Sequence, residues 1–209
     1  MNFRLLNRIP IISNRTKISI SLLLLVYSFI LYVFSPECFD RKLCMLAMLF
    51  SFIGDVLLNC KPLDKRSHTL LYVGALFFMI SHLIYATAYY FLISDSNQTF
   101  INTGAYLAYY FMDIILIWSI LCILFTKKHV KPIMIFVFLL YTAIISINFI
   151  AICSYSWSTH AISFIGAISF LISDYIIGIE NVFKIKSDTL RKLVWIFYPI
   201  GQFLILTCR

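Results

Sequence analysis

Three aspartates stand alone inside long apolar stretches: Asp55 in SFIGDVLLN, Asp113 in YYFMDIILIW and Asp174 in SFLISDYIIG. An ionisable side chain near the centre of a membrane helix costs roughly 2.5 to 3.5 kcal/mol on insertion scales, so a chain that keeps such groups usually uses them. A carboxyl group in an apolar setting can hold a proton at neutral pH and deliver it, while a second, ionised carboxylate can stabilise a cation. The aspartates are therefore candidates for acid–base chemistry.

Other polar residues recur at helical spacing around two of these aspartates and along a third segment. Residues three or four positions apart share one face of a helix. Small residues on these faces, such as Gly74 and Gly166, allow helices to approach closely, which would bring the polar groups together in the interior. The three faces comprise Ser51, Asp55 and Asn59; Gly74, Phe78, His82, Tyr85 and Tyr89; and Gly166, Phe170, Ser173, Asp174 and Ile177.

The elements that carry these faces have the composition of membrane spans. Hydrophobic residues make up 62% of the chain and charged residues 12%, and the mean hydropathy is +0.93. An average soluble domain is about a quarter charged. The length allows about seven spans of roughly 20 residues. We expect an all-α, multi-pass membrane protein with a single domain over 1–209, of which 1–17 is a basic cytoplasmic segment. The predicted spans are approximately 18–34, 43–60, 70–93, 104–125, 132–153, 160–183 and 193–208.

The basic residues fall between the predicted spans in alternate gaps. They do not form one patch, so the net charge of +8 does not indicate nucleic-acid binding. The positive-inside rule predicts a cytoplasmic N-terminus and an outer C-terminus, with only Arg41, Lys42 and Arg209 on the outer side. This topology places Asp55 and Asp174 in the inner half of the bilayer. The predicted cytoplasmic residues are Arg4, Arg8, Arg15, Lys17, Lys61, Lys65, Arg66, Lys127, Lys128, Lys131, Lys184, Lys186, Arg191 and Lys192.

Two segments are alike and suggest an internal repeat. GALFFMISH at 74–82 and GAISFLISD at 166–174 are identical at five of nine positions, and His82 aligns with Asp174. Because the two spans lie three apart, the copies would run in opposite directions, as inverted repeats do. A chain rich in Ile, Phe, Leu and Ser also produces chance matches, and SFIG itself occurs twice. The inverted repeat is therefore a hypothesis.

Four motifs, in this order, resemble the YhhN-like family of integral-membrane lysoplasmalogenases. They are GDVLL at 54–58, GALFFMISHLIY at 74–85, GAISFLISD at 166–174 and YPIGQFLI at 198–205. The resemblance covers about residues 43–206. Members of that family typically have eight spans, whereas the N-terminal dozen residues of this chain are too short and basic to form an additional one.

The resemblance implies hydrolysis of the vinyl-ether bond of lysoplasmalogens to a fatty aldehyde and glycerophosphoethanolamine or glycerophosphocholine, without a cofactor. Such a bond is cleaved by protonation of its outer alkene carbon, and water then captures the oxocarbenium ion. Glycosidases divide similar work between a carboxylic acid and a carboxylate. The resemblance implies that Asp55 and Asp174 are this catalytic pair, without showing which is the acid. It also implies that His82 orients one of them or relays a proton.

Five further polar residues are predicted to contact the lysophospholipid, with Tyr85 as a donor to the ether oxygen. Helix packing is the alternative for Tyr85 and Gln202. Asp113 matches no family motif, which favours a structural or peripheral role. The predicted substrate-binding residues are Asn59, Tyr85, Ser173, Tyr198 and Gln202.

Other classes of function use similar residues. A small proton-coupled transporter or lipid flippase also needs buried aspartates, but such sites use broken helices, and no proline falls inside a span before Pro199. The polar faces disfavour a non-catalytic scaffold. Two aspartates and a histidine would suit zinc, but the sequence has no HExxH or similarly tight ligand cluster, so we predict no metal. The head group, the oligomeric state and the host membrane (the cytoplasmic membrane of a bacterium or an internal membrane of a eukaryote) stay open.

Overall fold

The computed structural model describes residues 12–60, 68–96, 99–125, 132–159, 161–183 and 187–207. Within these ranges the chain forms seven α-helices and no strand, and all seven helices are long and apolar enough to cross a membrane. The prediction of an all-α, multi-pass membrane protein is confirmed. The helices are α1 (Asn14–Phe34), α2 (Phe39–Asn59), α3 (His68–Asp95), α4 (Thr103–Phe125), α5 (Pro132–Thr159), α6 (Ala161–Phe183) and α7 (Asp188–Thr207).

Each predicted span coincides with one helix, but several helices extend beyond the apolar segment. The first backbone N–H groups of a helix lack intrahelical acceptors, and polar side chains supply them. Ser13 Oγ accepts a hydrogen bond from Thr16 N (3.2 Å), so α1 begins before its apolar run. Asn102 Oδ1 accepts one from Ala105 N (3.0 Å) at the start of α4. Hydropathy thus locates the apolar part of each helix, while the capping residues determine where these helices begin.

The contacts between helices close into a ring of six. Within it, α1 contacts α2 and α7, α3 contacts α2 and α5, and α6 contacts α5 and α7. Helix α4 packs against α5. The order around the ring is therefore α1, α2, α3, α5, α6, α7, and the polar faces of α2, α3, α6 and α7 point into it. The cytoplasmic location of the N-terminus stays a prediction.

Two pairs of helices approach closely at glycines, as the sequence predicts. A Cβ atom added to Gly74 on α3 would lie 2.8 Å from the Leu58 side chain on α2. One added to Gly166 on α6 would lie 2.9 Å from Leu204 Cβ on α7. The aligned glycines therefore face different neighbours, since α3 packs on the preceding helix and α6 on the following one. The inverted repeat stays a hypothesis.

Polar side chains lie inside the bundle and large apolar side chains lie outside. Hydrocarbon solvates the apolar exterior, whereas a polar group must find its hydrogen-bond partners between helices. The bundle therefore has a lipid-facing apolar surface, and its polar groups lie buried among apolar side chains in the interior. Exposed side chains include Leu23, Ile114, Trp118, Phe136 and Ile162, and buried ones include Ser21, Ser51, Asp55, His82, Asn148, Asp174 and Gln202.

Candidate active site

Asp55 lies on α2 beside α1 and α7 and is 4% exposed. Its Oδ2 accepts hydrogen bonds from Ser21 Oγ on α1 (2.5 Å) and from Tyr198 OH on α7 (2.6 Å). The Ser21 hydroxyl also lies 3.2 Å from the backbone oxygen of Lys17, so its shorter contact is with the carboxyl group. One carboxyl oxygen therefore joins three helices.

Asp174 lies on α6, is 3% exposed and has a different set of partners. Its Oδ2 is 2.9 Å from Nε2 of His82 on α3. The other ring nitrogen of His82, Nδ1, is 2.9 Å from Nδ2 of Asn148 on α5. Tyr141, also on α5, interacts with the same carboxyl group. A chain of carboxyl, imidazole and amide groups thus links α6, α3 and α5.

Aromatic rings fill the space between the two carboxyl groups. Phe170 stacks on His82 with ring centroids 4.8 Å apart, and it also contacts Tyr198, with centroids 5.8 Å apart. Phe170 therefore lies between the partner of Asp174 and the partner of Asp55. The two aspartates are close enough to interact electrostatically. They belong to one buried site with aromatic walls.

A third polar network lies on α2, α3 and α7. Tyr85 OH donates to Gln202 Oε1 (2.7 Å), and Gln202 Nε2 donates to Ser51 Oγ (3.2 Å). Ser51 Oγ in turn lies 2.7 Å from Ser81 Oγ, which donates to the backbone oxygen of Ala47 (2.8 Å). Both polar groups of the Gln202 amide therefore bond to another helix, Oε1 to α3 and Nε2 to α2. The network holds the three helices in register beside the carboxyl groups.

An apolar groove leads from Asp174 toward the end of the bundle where α3 and α5 begin. Its cavity volume is about 80 Å³, and Asp174 is the only charged residue among the described residues that line it. On α3, α5 and α6 the lining extends over 71–78, 134–141 and 174–181, about 10 Å of helix on each. The lining comprises Leu58, Leu71, Tyr72, Ala75, Phe78, Met134, Val137, Phe138, Tyr141, Asp174, Ile177, Gly178 and Asn181.

The structure brings together the three residues predicted to be catalytic. Asp174 contacts His82 directly, and Asp55 lies within electrostatic range of Asp174. Tyr198, predicted to bind substrate, instead donates its hydroxyl proton to Asp55. The expected convergence of polar groups inside the bundle is therefore present.

The other predicted substrate-binding residues use their polar atoms within the protein. Asn59 and Ser173 bond to backbone oxygens of their own helices, at 2.9 and 2.7 Å. Tyr85 and Gln202 bond to each other, which corresponds to the helix-packing alternative. Asp113 lies on α4, outside the network and only partly buried. Direct contact between any of these residues and a substrate stays a prediction.

Sequence reasoning missed three partners of the carboxyl groups: Ser21, Tyr141 and Asn148. Asn148 carries a detectable signal, because an amide inside an apolar span needs a partner as an aspartate does. Tyr141 lies seven positions earlier and so on the same face of α5. Ser21 has no such signal, since serine is common in the apolar segments of this chain.

The described residues contain no group of three His, Cys, Asp or Glu side chains placed to hold a metal ion. A catalytic zinc site uses three protein ligands. His82 and Asp174 supply two ligand types, but the His82 nitrogen away from Asp174 already contacts Asn148.

Comparison with protein families gives a match over nearly the whole chain. The model of the YhhN family matches residues 13–208. The chain belongs to the YhhN family. No curated protein and no solved structure gives a significant match. The match extends the resemblance seen in the sequence from residue 43 back to the start of α1. In this YhhN protein, therefore, the helix that supplies Ser21 is part of the family region, as are both carboxyl groups.

Proposed function

We propose that this YhhN-family chain is an intramembrane hydrolase. Its substrate would be a lysoplasmalogen, cleaved at the vinyl-ether bond to a fatty aldehyde and glycerophosphoethanolamine or glycerophosphocholine. The observation that carries the proposal is a pair of buried aspartates within electrostatic range, one of which ends an apolar groove. Membership of the YhhN family is consistent with a hydrolase.

The reaction needs an acid, a group that stabilises positive charge, and one water molecule. The acid protonates the outer carbon of the alkene, and the double-bond electrons form the new C–H bond, leaving an oxocarbenium ion. Water adds to this ion and loses a proton, which restores the acid and yields a hemiacetal. The hemiacetal then releases the aldehyde and the glycerol hydroxyl. A buried pair of carboxyl groups can supply both roles, as in glycosidases.

Asp174 suits the role of the acid because it lines the groove. A general acid must lie within hydrogen-bond reach of the atom that it protonates. One carboxyl oxygen, Oδ2, faces His82, and Tyr141 also bonds to the carboxyl group, so a proton delivered to a substrate would be carried by Oδ1. His82 orients the acid in this arrangement.

Asp55 suits the role of the ionised carboxylate. Two hydroxyl groups donate to its Oδ2, and hydrogen bonds of this kind favour the charged form of a carboxyl group. Its short contacts with Ser21 and Tyr198, at 2.5 and 2.6 Å, have the length of O–H···O⁻ bonds. A carboxylate held there stabilises the oxocarbenium ion through its charge.

The groove suits the path of a single-chain lipid. Its lining is mainly Leu, Ile, Val, Met and Phe, and the groove is narrow, with a cavity volume of about 80 Å³. A lysophospholipid has one hydrocarbon chain and enters from the bilayer, where the helices present an apolar surface. We propose that the substrate reaches Asp174 through this groove.

The first experiment measures aldehyde release from lysoplasmalogen by the purified protein in detergent. Asp55→Asn and Asp174→Asn nearly preserve size and remove the exchangeable carboxyl proton. Each should lower kcat by about 10²-fold or more, the usual contribution of a positioned acid or base. Asp113→Asn is the matched control, since it removes a carboxyl group on α4 outside the network. It should retain wild-type activity.

The same experiment separates the hydrolase from the transporter. Activity that survives in both folded variants would contradict the assignment of the site. A folded wild-type protein that releases no aldehyde, but couples proton flow to lipid movement in vesicles, would favour a transporter. The thermal unfolding temperature of each variant, compared with that of the wild type, distinguishes a loss of activity from a loss of folded structure.

A further inference from the structure

The amide of Asn148 contacts one of the two ring nitrogens of His82. Asn148 and His82 are 3% and 1% exposed, and Nδ2 of the amide lies 2.9 Å from Nδ1 of the ring. An amide NH₂ group only donates, so Nδ1 must accept. A neutral imidazole then has its proton on the other nitrogen. We propose that Asn148 is a positioning residue that holds His82 as the Nε2–H tautomer, which makes His82 a donor to Asp174 and prevents it from relaying a proton.

The surroundings of the ring keep this arrangement in place. In the structure the NH₂ group of Asn148 faces the imidazole, and its Oδ1 atom has no hydrogen-bond partner among the described residues. Phe170 stacks on His82 with an interplanar angle of 29°, and Tyr141 meets the ring edge-on at 87°. A ring packed in this way cannot turn over to exchange its two nitrogens without displacing both aromatic neighbours.

The tautomer has a consequence for Asp174. Nε2–H donates to Oδ2 at 2.9 Å, so Oδ2 can only accept in this contact. A proton on Asp174 must therefore lie on Oδ1. If His82 took this proton, Nδ1 would still need to accept from Asn148, and Nε2 has no free lone pair. The claim that Oδ1–H is the catalytic acid rests on the proposed function, whereas the tautomer does not.

The tautomer is measured directly by ¹⁵N NMR of histidine-labelled protein in detergent at neutral pH. The chain has four histidines, and the signals of His82 are those lost in His82→Gln. We expect a protonated Nε2 and an unprotonated Nδ1. A protonated Nδ1, alone or together with Nε2, would overturn the proposal. No substrate is needed, so this result does not depend on lipid hydrolysis.

Asn148→Asp should reverse the preference. The new carboxylate accepts a hydrogen bond, so Nδ1 becomes protonated, and His82 then lies between two carboxyl groups. The imidazole should take the proton of Asp174 and show both nitrogens protonated in the ¹⁵N spectrum. Asp174 then no longer holds the proton that it would donate to the substrate. We therefore expect kcat for aldehyde release to fall by about 10- to 100-fold, with little change in KM. An unchanged tautomer in this variant would contradict the role of Asn148.

Asn148→Leu removes the donor and keeps the branched shape and the number of side-chain heavy atoms. The His82 signals should then show both neutral tautomers. The matched control is Thr142→Val on the same helix, because the Thr142 hydroxyl is buried and bonds only to the backbone of α5, at 2.8 Å. It should preserve the Nε2–H tautomer. If both variants shift the tautomer equally, general disturbance of α5 explains the effect and the proposal is wrong.

The two proposals fail in different ways. A wild-type protein with the Nε2–H tautomer and no aldehyde release would leave the role of Asn148 supported and contradict the hydrolase. A protein that releases aldehyde but has His82 protonated on Nδ1 would support the hydrolase and contradict the role of Asn148.

Discussion

The two halves of the site contain the same acidic residue in different surroundings. Asp55 accepts from two hydroxyl groups, those of Ser21 and Tyr198. Asp174 contacts an imidazole that Asn148 holds in turn, and it lines the groove. A hydroxyl donates or accepts by rotating about its C–O bond, whereas the imidazole held by Asn148 can only donate to Asp174. Residue type alone therefore does not determine the role of a buried carboxyl group.

The two carboxyl groups also differ in their access to the groove. Asp174 can meet a ligand in the groove, while Asp55 acts from the far side of Phe78 and Phe170, whose rings both contact Tyr198. We infer that the first carboxyl group exchanges a proton with the substrate and the second stabilises charge.

The largest effect is expected when both carboxyl groups are changed. The single variants Asp55→Asn and Asp174→Asn should each lose about 10²- to 10⁴-fold in kcat. Because the two groups act on one transition state, Asp55→Asn/Asp174→Asn should be little slower than the slower single variant. Steady-state kinetics of all three would decide. A double variant whose loss equals the product of the single losses would show two independent contributions.

A smaller effect is expected from the partner of each carboxyl group. His82→Leu removes the hydrogen bond to Asp174, and a hydrogen bond to a charged or reacting group is worth about 1.5–3 kcal/mol, or about 10- to 100-fold in kcat. Tyr198→Phe removes one of two donors to Asp55, so its loss should be at the lower end of this range. Equal losses, measured on folded variants, would contradict the difference between the halves.

The role of the groove as the lipid path can be tested without changing either carboxyl group or its hydrogen-bond partners. A Cβ atom added to Gly178 would lie 2.6 Å from the ring of Phe138, so Gly178→Leu should narrow the groove. We expect KM for lysoplasmalogen to rise several-fold with kcat nearly preserved, because the carboxyl groups keep their partners. The matched control is Ala143→Leu on the exposed face of α5. A normal KM in Gly178→Leu would place the lipid path elsewhere.

The smallest effect is expected in the third network. Tyr85→Phe leaves Gln202 Oε1 without its donor at 2.7 Å. Hydrogen bonds between membrane helices average about 0.6 kcal/mol, so the unfolding temperature should fall by only one or two degrees, at about 2–4 °C per kcal/mol. Tyr90→Phe, on the exposed side of the same helix, is the control and should unfold at the wild-type temperature. A larger loss for Tyr90→Phe would contradict the structural role of this network.

Much of the fold was predictable because the bilayer imposes a simple rule. A span must be apolar over about 20 residues, and hydropathy finds such segments. All seven predicted spans are helices, and several helices extend a few residues beyond the predicted span, as α1 does after its cap Ser13. The order of helices around the ring was not predictable. Helix α4 follows α3 and precedes α5 along the chain, yet α3 and α5 contact each other directly and α4 packs against α5.

The candidate site was predictable on the helices that carry motifs. Asp55, His82 and Asp174 stand out because an ionisable group in an apolar span is costly. Ser21 and Asn148 were missed because α1 and α5 carry no family motif that we recognised. Their importance comes from the residues that they meet 34 and 66 positions away along the chain.

Composition and local spacing are enough to predict that the chain lies in a lipid bilayer, how many spans it has and which residues can exchange protons. They do not predict which carboxyl group faces the groove, which hydroxyls contact Asp55 or which nitrogen of His82 contacts Asp174. These contacts join residues on different helices. They depend on how each helix is rotated and which helices are neighbours, and both follow from packing over the whole bundle, which no short segment encodes.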